Sequence, residues 1–216
     1  MIAAAVAAAA LVCLDPGHGT PPAIGAQTEP IGPGSPVRKI KDGGGAPGEA
    51  AVALAIAKRA RRLLLARGYR VAMTRAGPTI HLGDGNGNIA RARFCNRRHA
   101  ALMVRIHADG SPDRSLHGIS TLVPAWHRGW TDDIYTPSLR AGRSVQKAVV
   151  ASTGALNRGI VRRSDLTGFN WANVPAILVE TGFLSNPTDS KLLHTASYQQ
   201  KVARGLTNGV VAFVRP

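Results

Sequence analysis

Two histidines and two glutamates have the types and positions needed to assemble a hydrolytic metal site. His18 lies in the turn DPGHG after a short apolar run, and His107 ends a second apolar run in RIHAD. Glu180 ends a third such run in LVETGF, and Glu49 opens a helical pattern. Two imidazoles and one carboxylate suit zinc and leave a fourth position for water. A second carboxylate beside such a site can take the proton of that water.

The four residues are expected to meet because of the elements that carry them. Apolar periodicity predicts strands at residues 11–14, 69–74, 101–106, 118–123 and 176–179, and helices at 49–67, 89–99, 138–153 and 199–214. This alternation predicts an α/β fold, a three-layer αβα sandwich whose twisted, mostly parallel sheet has helices on both faces. The carboxyl ends of parallel strands share one edge with the starts of the following helices, and ligands bind there.

Each residue has a simpler interpretation when it is taken alone. A histidine at the end of a strand is more often a satisfied polar group than a ligand. A glutamate that opens a helix commonly interacts with the helix dipole. The convergence of His18, Glu49, His107 and Glu180 on one predicted edge is what favours a shared site.

Longer segments around these residues carry a resemblance to a known family. They are DPGHG at residues 15–19, Glu49 with LAIA at 54–57, TR at 74–75, Arg91, Asn96, IHA at 106–108 and PAILVETGFLSN at 175–186. From Leu11 onward the chain resembles the zinc-dependent, type-3 N-acetylmuramoyl-L-alanine amidases. The resemblance implies Zn²⁺ on His18, Glu49 and His107, with Glu180 as the catalytic residue. It also implies hydrolysis of the amide between N-acetylmuramic acid and L-alanine in peptidoglycan, during wall turnover or daughter-cell separation.

Some residues depart from the family pattern or carry no assigned role. Arg105 stands where the family commonly has serine, and Asp109 where it commonly has asparagine. A charged Arg105 in a buried strand is expected to pair with an acidic neighbour or to point into the cleft. Asp15 has two interpretations, either orienting His18 through a hydrogen bond or forming the turn. Residues 19–48 are rich in Gly and Pro and are predicted to be a long loop, either a functional lid or disordered.

Composition limits the organisation and the partners of the chain. We interpret residues 1–10 as the remnant of an export signal or as a lead-in to the first strand, and residues 11–216 as one catalytic domain. The formal net charge of +15 would attract polyanions. Nucleic acid is not favoured, because no nucleic-acid motif accompanies the charge. We expect a monomer without a membrane span, acting outside the cytoplasm on peptidoglycan, with anionic cell-wall polymers as further partners.

Two questions stay open at this point. Cys13 and Cys95 have no metal-ligand spacing, and we interpret them as half-buried structural thiols, with a disulfide as the alternative in an exported protein. A zinc carboxypeptidase-type peptidase of related fold and a non-catalytic wall-binding module are alternative functions. The order of the ligands and the ETGF segment argue against the first, and an intact set of four site residues argues against the second.

Overall fold

A six-stranded mixed sheet forms the centre of the computed structural model, which describes residues 9–83 and 85–214. The strands within these ranges are β1 (Leu11–Pro16), β2 (Thr28–Pro30), β3 (Arg38–Ile40), β4 (Arg70–Met73), β5 (Leu102–Asp109), β6 (Ile119–Pro124), β7 (Asn157–Arg163) and β8 (Ala176–Phe183). The order in the sheet is β4-β1-β5-β8-β6-β7. Strands β4, β1, β5 and β8 are parallel, whereas β6 is antiparallel to β8 and carries β7 parallel to itself.

Helices cover both faces of this sheet, as predicted. The helices in the described ranges are α1 (Pro22–Gly25), α2 (Glu49–Leu65), α3 (Asn88–Asn96), α4 (Tyr135–Thr153), α5 (Thr167–Asn170), α6 (Pro187–Leu193) and α7 (Ala196–Val214). Helices α2, α4 and α7 share one apolar core with residues such as Val104 and Val179 of the sheet. Helices α3 and α5 cover the opposite face, where Phe169 packs in a second core with Met103 and Leu178. The three-layer α/β prediction is therefore confirmed.

The predicted loop over residues 19–48 is more ordered than the sequence suggested. It contains α1 and an antiparallel hairpin of β2 and β3. The indole Nε1 of Trp130 donates to the carbonyl of Pro33 at 3.0 Å, and Asn170 Nδ2 donates to the carbonyl of Ile31 at 3.0 Å. These partners lie 97 and 139 residues away, so the local sequence could not reveal them.

Other differences lie near the ends of the chain and at one sheet edge. Strand β7 and helix α6 were not predicted, and β7 was missed because the charged sequence NRGIVRR of an exposed edge strand masks its alternation.

Of residues 1–10, interpreted as a signal remnant or a lead-in, the first eight lie outside the described residues, and β1 begins at Leu11. Across 9–83 and 85–214, no helix combines the length and the apolarity required to cross a membrane.

The two cysteines form a disulfide, so their interpretation as separate thiols was wrong. Cys13 of β1 and Cys95 of α3 lie 82 residues apart in the sequence, with their Cα atoms 5.8 Å apart. Both residues are fully buried. The disulfide therefore joins the strand that leads to His18 to the helix that covers it.

Reduction of this disulfide is predicted to lower the free energy of unfolding by about 2–5 kcal/mol, because an 82-residue separation leaves a long loop unconstrained in the unfolded chain. Guanidinium denaturation of the wild type with and without a reductant measures the loss. The Cys13→Ser/Cys95→Ser variant serves as the control and should not respond to the reductant. Equal stability of the oxidised and reduced wild type would contradict the prediction.

Candidate metal centre

The four residues selected from the sequence meet at the carboxyl-end edge of the parallel strands. His18 follows β1, and His107 and Glu180 occupy paired positions on the neighbouring strands β5 and β8. Glu49 is the first residue of α2, which starts at the same edge. One ligand atom each from His18, Glu49 and His107 lies within 4.8 Å of the others, which is compact enough to hold a metal ion.

The carboxylate of Glu49 lies between the two imidazoles. Its Oε1 atom is 3.0 Å from Nε2 of His18 and 2.9 Å from Nδ1 of His107. The backbone amides of Ala46 and Ala108 donate to Oε2 and Oε1 at 2.9 and 3.2 Å. Burial alone would raise the pKa of Glu49, but the hydrogen bonds to His107 and His18 outweigh it and hold the pKa well below the usual range. Glu49 is therefore anionic, as a metal ligand must be.

Two glycines leave the space in which the donor atoms converge. A Cβ atom at Gly17 would overlap with the imidazole of His107. A Cβ atom at Gly45 would lie 2.5 Å from Nε2 of His18, and the φ of +70° at Gly45 also favours glycine. Burial lowers the pKa of His107, so its ring is neutral and can act as a ligand. The donor set, its charge and the space around it all fit a divalent metal ion.

Asp42, and not Asp15, orients the ring of His18. The Oδ1 atom of Asp42 lies 2.6 Å from Nδ1 of His18, which leaves Nε2 facing Glu49. Burial opposes protonation of His18, but the hydrogen bonds to Asp42 and Glu49 outweigh it and raise its pKa to about 9. The amides of Thr20 and Gly44 donate to Asp42 and fix it in place. No pattern in the sequence indicates this contact, because Asp42 lies 24 residues away in a segment without periodicity.

Asp15 instead forms a buried ion cluster beneath the site, so both interpretations of this residue were wrong. It is part of β1 and fully buried. Its carboxylate accepts from Thr74 Oγ1 at 2.5 Å, Arg91 Nη1 at 2.7 Å and Arg105 Nε at 2.8 Å. Burial alone would raise the pKa of Asp15, but the two guanidinium groups hold it well below the usual range. The expected acidic partner of Arg105 is therefore Asp15.

Arg91, a member of this cluster, and Arg75 both hold the turn that carries His18. Arg91 Nη2 donates to the carbonyl of His18 at 2.6 Å, and Arg75 Nη2 donates to the carbonyls of Gly17 and Ala50 at 2.6 and 2.7 Å. His18 has a φ of 58°, in the left-handed region that non-glycine residues rarely adopt. These bonds hold that conformation, and they fix the turn to the start of α2.

Glu180 contributes a carboxyl group that is separate from the three candidate ligands. The residue is 9% exposed, and its Oε2 atom is buried without a hydrogen-bond partner among the described residues. Burial, followed by the negative charges of Asp109 and Glu49, raises its pKa well above the usual value. Glu180 and Asp109 line a cavity of about 500 Å³ together with the three candidate ligands. Glu180 therefore holds a proton to higher pH than an ordinary glutamate does.

The fold and the site together define the class of this protein, an α/β protein with a candidate metal centre at the edge of its sheet. The chain belongs to the N-acetylmuramoyl-L-alanine amidase family, because the sequence profile of that family matches residues 12–212. Among solved structures, the N-acetylmuramyl-L-alanine amidase Ami1 of Mycobacterium smegmatis is 30% identical, with a TM-score of 0.84 over 95% of this chain and 97% of that one.

Curated relatives lead to the same family. The N-acetylmuramoyl-L-alanine amidase Rv3717 of Mycobacterium tuberculosis is 33% identical over 67% of this chain. The amidase AmiC of Neisseria meningitidis is 28% identical over 94% of this chain. The matches span 64% of the length of the first relative and 52% of the second.

Replacing Asp15 by Asn is predicted to destabilise the protein by about 3–5 kcal/mol at pH 7, because two buried guanidinium groups lose their counter-charge. The folded state lowers the pKa of Asp15, so its stabilisation is present above the ordinary value of 3.8 and is lost as the pH falls below it. Urea denaturation should therefore show that the difference in the free energy of unfolding between the wild type and Asp15→Asn becomes smaller below about pH 4.

The control for this experiment is Asp165→Asn. Asp165 also pairs with basic residues, but its side chain is 40% exposed, so its loss should cost at most about 1 kcal/mol. Equal losses for the two variants would contradict the special role of the buried carboxylate.

Proposed function

We propose that this chain hydrolyses the amide bond between N-acetylmuramic acid and L-alanine in peptidoglycan and that it requires Zn²⁺. The observation that carries the proposal is the convergence of His18, Glu49 and His107 beside the separate carboxyl of Glu180. Membership of the amidase family supports the choice of substrate. Two imidazoles and one carboxylate support the choice of zinc, because this ligand set is common in catalytic zinc sites.

In this proposal the residues of the site have different roles. His18, Glu49 and His107 hold the ion, and Asp42 orients the ring of His18. When bound, Zn²⁺ supplies Lewis acidity, which polarises the scissile carbonyl and makes water a stronger acid. Glu180 accepts the proton of the attacking water and returns it to the leaving nitrogen of L-alanine. Burial raises the pKa of Glu180, which favours the protonated form that returns the proton.

The products distinguish this function from the two alternatives. Mass spectrometry of purified peptidoglycan after incubation should show peptides that begin with L-alanine, and a chelator should abolish them. A carboxypeptidase-type enzyme would release single amino acids from the other end of the peptide. A wall-binding module would release nothing in either condition.

We further infer that the protein acts outside the cytoplasm. Disulfides persist mainly in oxidising compartments, and Cys13 and Cys95 form one. Peptidoglycan, the proposed substrate, also lies outside the cytoplasmic membrane. The formal net charge of +15 favours attraction to anionic wall polymers. The monomeric state and the assignment of residues 11–216 to one catalytic domain stay predictions.

Loss of either histidine ligand is predicted to remove the metal. His107→Ala leaves two protein ligands, so zinc measured by elemental analysis after dialysis should fall from about one ion per chain to near zero. His117 is exposed and lies outside the site, so His117→Ala should keep its zinc. Full zinc content in His107→Ala would refute the ligand assignment.

Glu180→Gln is predicted to separate metal binding from turnover. An amide keeps the shape of the side chain but cannot accept and return a proton, so kcat should fall by about 10²- to 10⁴-fold while zinc is retained. Glu49→Gln, measured beside it, should lose zinc as well as activity. Asp109→Asn is the matched comparison, because burial also raises the pKa of Asp109. If Glu180→Gln turns over normally and Asp109→Asn does not, the proton goes to Asp109.

A further inference from the structure

The guanidinium group of Arg105 is only partly occupied by the ion cluster beneath the site. Arg105 is 4% exposed and lies two residues before His107 on β5, so both side chains point to the same face of the sheet. Nε donates to Asp15, and Nη2 donates to Asn88 Oδ1 at 2.6 Å. Nη1 has no acceptor among the described residues. The fully buried side-chain atoms without a partner in those residues are His107 Nε2 and Glu180 Oε2 and do not include Nη1. Nη1 is therefore the nitrogen of this guanidinium group that can still donate to an acceptor outside the protein.

The charges around Asp15 do not balance. One buried carboxylate faces two buried guanidinium groups, those of Arg91 and Arg105, and Arg91 with Thr74 already satisfies Oδ1 of Asp15. A buried charge without a counter-charge is costly, so the excess positive charge favours an anionic ligand.

A cavity beside the metal centre has the charge to receive such a ligand. It measures about 180 Å³ and is bordered by His18 and His107. Four cationic side chains line it against two carboxylates, and these residues are Lys39, Lys41, Arg91, Arg105, Asp42 and Asp165. Asp42 is paired with His18, and Asp165 is paired with Arg163 and Lys39, which leaves three lining cations that neither carboxylate pairs with in the described ranges: Lys41, Arg91 and Arg105. The cavity is therefore suited to an anion.

The distance between Arg105 and His107 matches the spacing of groups along a peptide. Two residues of a strand span about 7 Å, and an extended peptide also advances about 3.3–3.6 Å per residue. A group on the residue after L-alanine thus lies about as far from the scissile amide as Arg105 lies from the candidate metal ligand. Two hydrogen bonds hold the guanidinium group of Arg105 in place, so it is preorganised to bind a carboxylate at that position.

We propose that Arg105 is a substrate-binding residue that recognises a carboxylate on the peptide residue after L-alanine. This inference rests on the proposed amidase function and names the part of the substrate that the adjacent cavity binds. Arg105 thereby favours peptides whose second residue carries a free α-carboxylate over peptides in which that group is amidated.

The test compares two soluble substrates that differ only in that group. They are N-acetylmuramoyl-L-alanyl-γ-D-glutamyl-L-lysine and the same compound with the α-carboxyl of D-glutamate amidated. For the zinc-loaded wild type, kcat/KM should be about 10-fold higher for the free carboxylate, as expected for one charge-assisted hydrogen bond. Arg105→Gln should bring the ratio of the two values near one.

The ratio also controls for partial misfolding, because inactive protein lowers both kcat/KM values equally. Arg61→Gln removes an exposed arginine of α2 and should keep the wild-type ratio. If Arg105→Gln does not fold, Gly168→Ala replaces it, because a Cβ at Gly168 would overlap with Nη1 of Arg105 and displace the guanidinium. That variant should also lower the ratio.

The outcomes separate this inference from the proposed function. Equal cleavage of both substrates by the wild type, or an unchanged preference in Arg105→Gln, would overturn the role of Arg105 and leave the amidase function intact. Cleavage of neither substrate by the zinc-loaded wild type would overturn the amidase function itself.

Discussion

The buried carboxylate of Asp15 is the contact on which the geometry of the site depends. It receives hydrogen bonds from Thr74, Arg91 and Arg105, which follow β4 or lie on α3 and β5. A charge removed from water in this way is tolerated only with close partners, so the elements that carry these partners cannot shift independently. Because Arg91 also holds the backbone of His18, the position of the candidate metal centre depends on this cluster.

The hairpin of β2 and β3 also helps to position His18. It ends close to Asp42, whose carboxylate fixes the ring of His18. Its far end is held by Trp130 and Asn170, which lie in distant parts of the chain. His18 is thus held through its backbone by Arg91 and through its ring by Asp42, so its imidazole is kept in one orientation.

The carboxylates of the site have different protonation behaviour because their surroundings differ. Glu49 is close to two imidazoles and two amides, and it stays anionic despite its burial. Glu180 lines the same cavity, but its burial, followed by the negative charges of Asp109 and Glu49, raises its pKa. The same side chain is therefore held in its anionic form at one position and has a raised pKa at the other.

The sequence by itself determined the layered α/β fold and the meeting of His18, Glu49, His107 and Glu180. These features depend on local periodicity and on the rule that parallel strands end at one edge of the sheet. The amino-acid sequence is therefore sufficient to predict them. Only the tertiary structure decided the roles of Asp15 and Asp42 and the pairing of Cys13 with Cys95. Those contacts join residues 24 to 90 positions apart, and no local pattern distinguishes a buried partner from a turn residue or a free thiol.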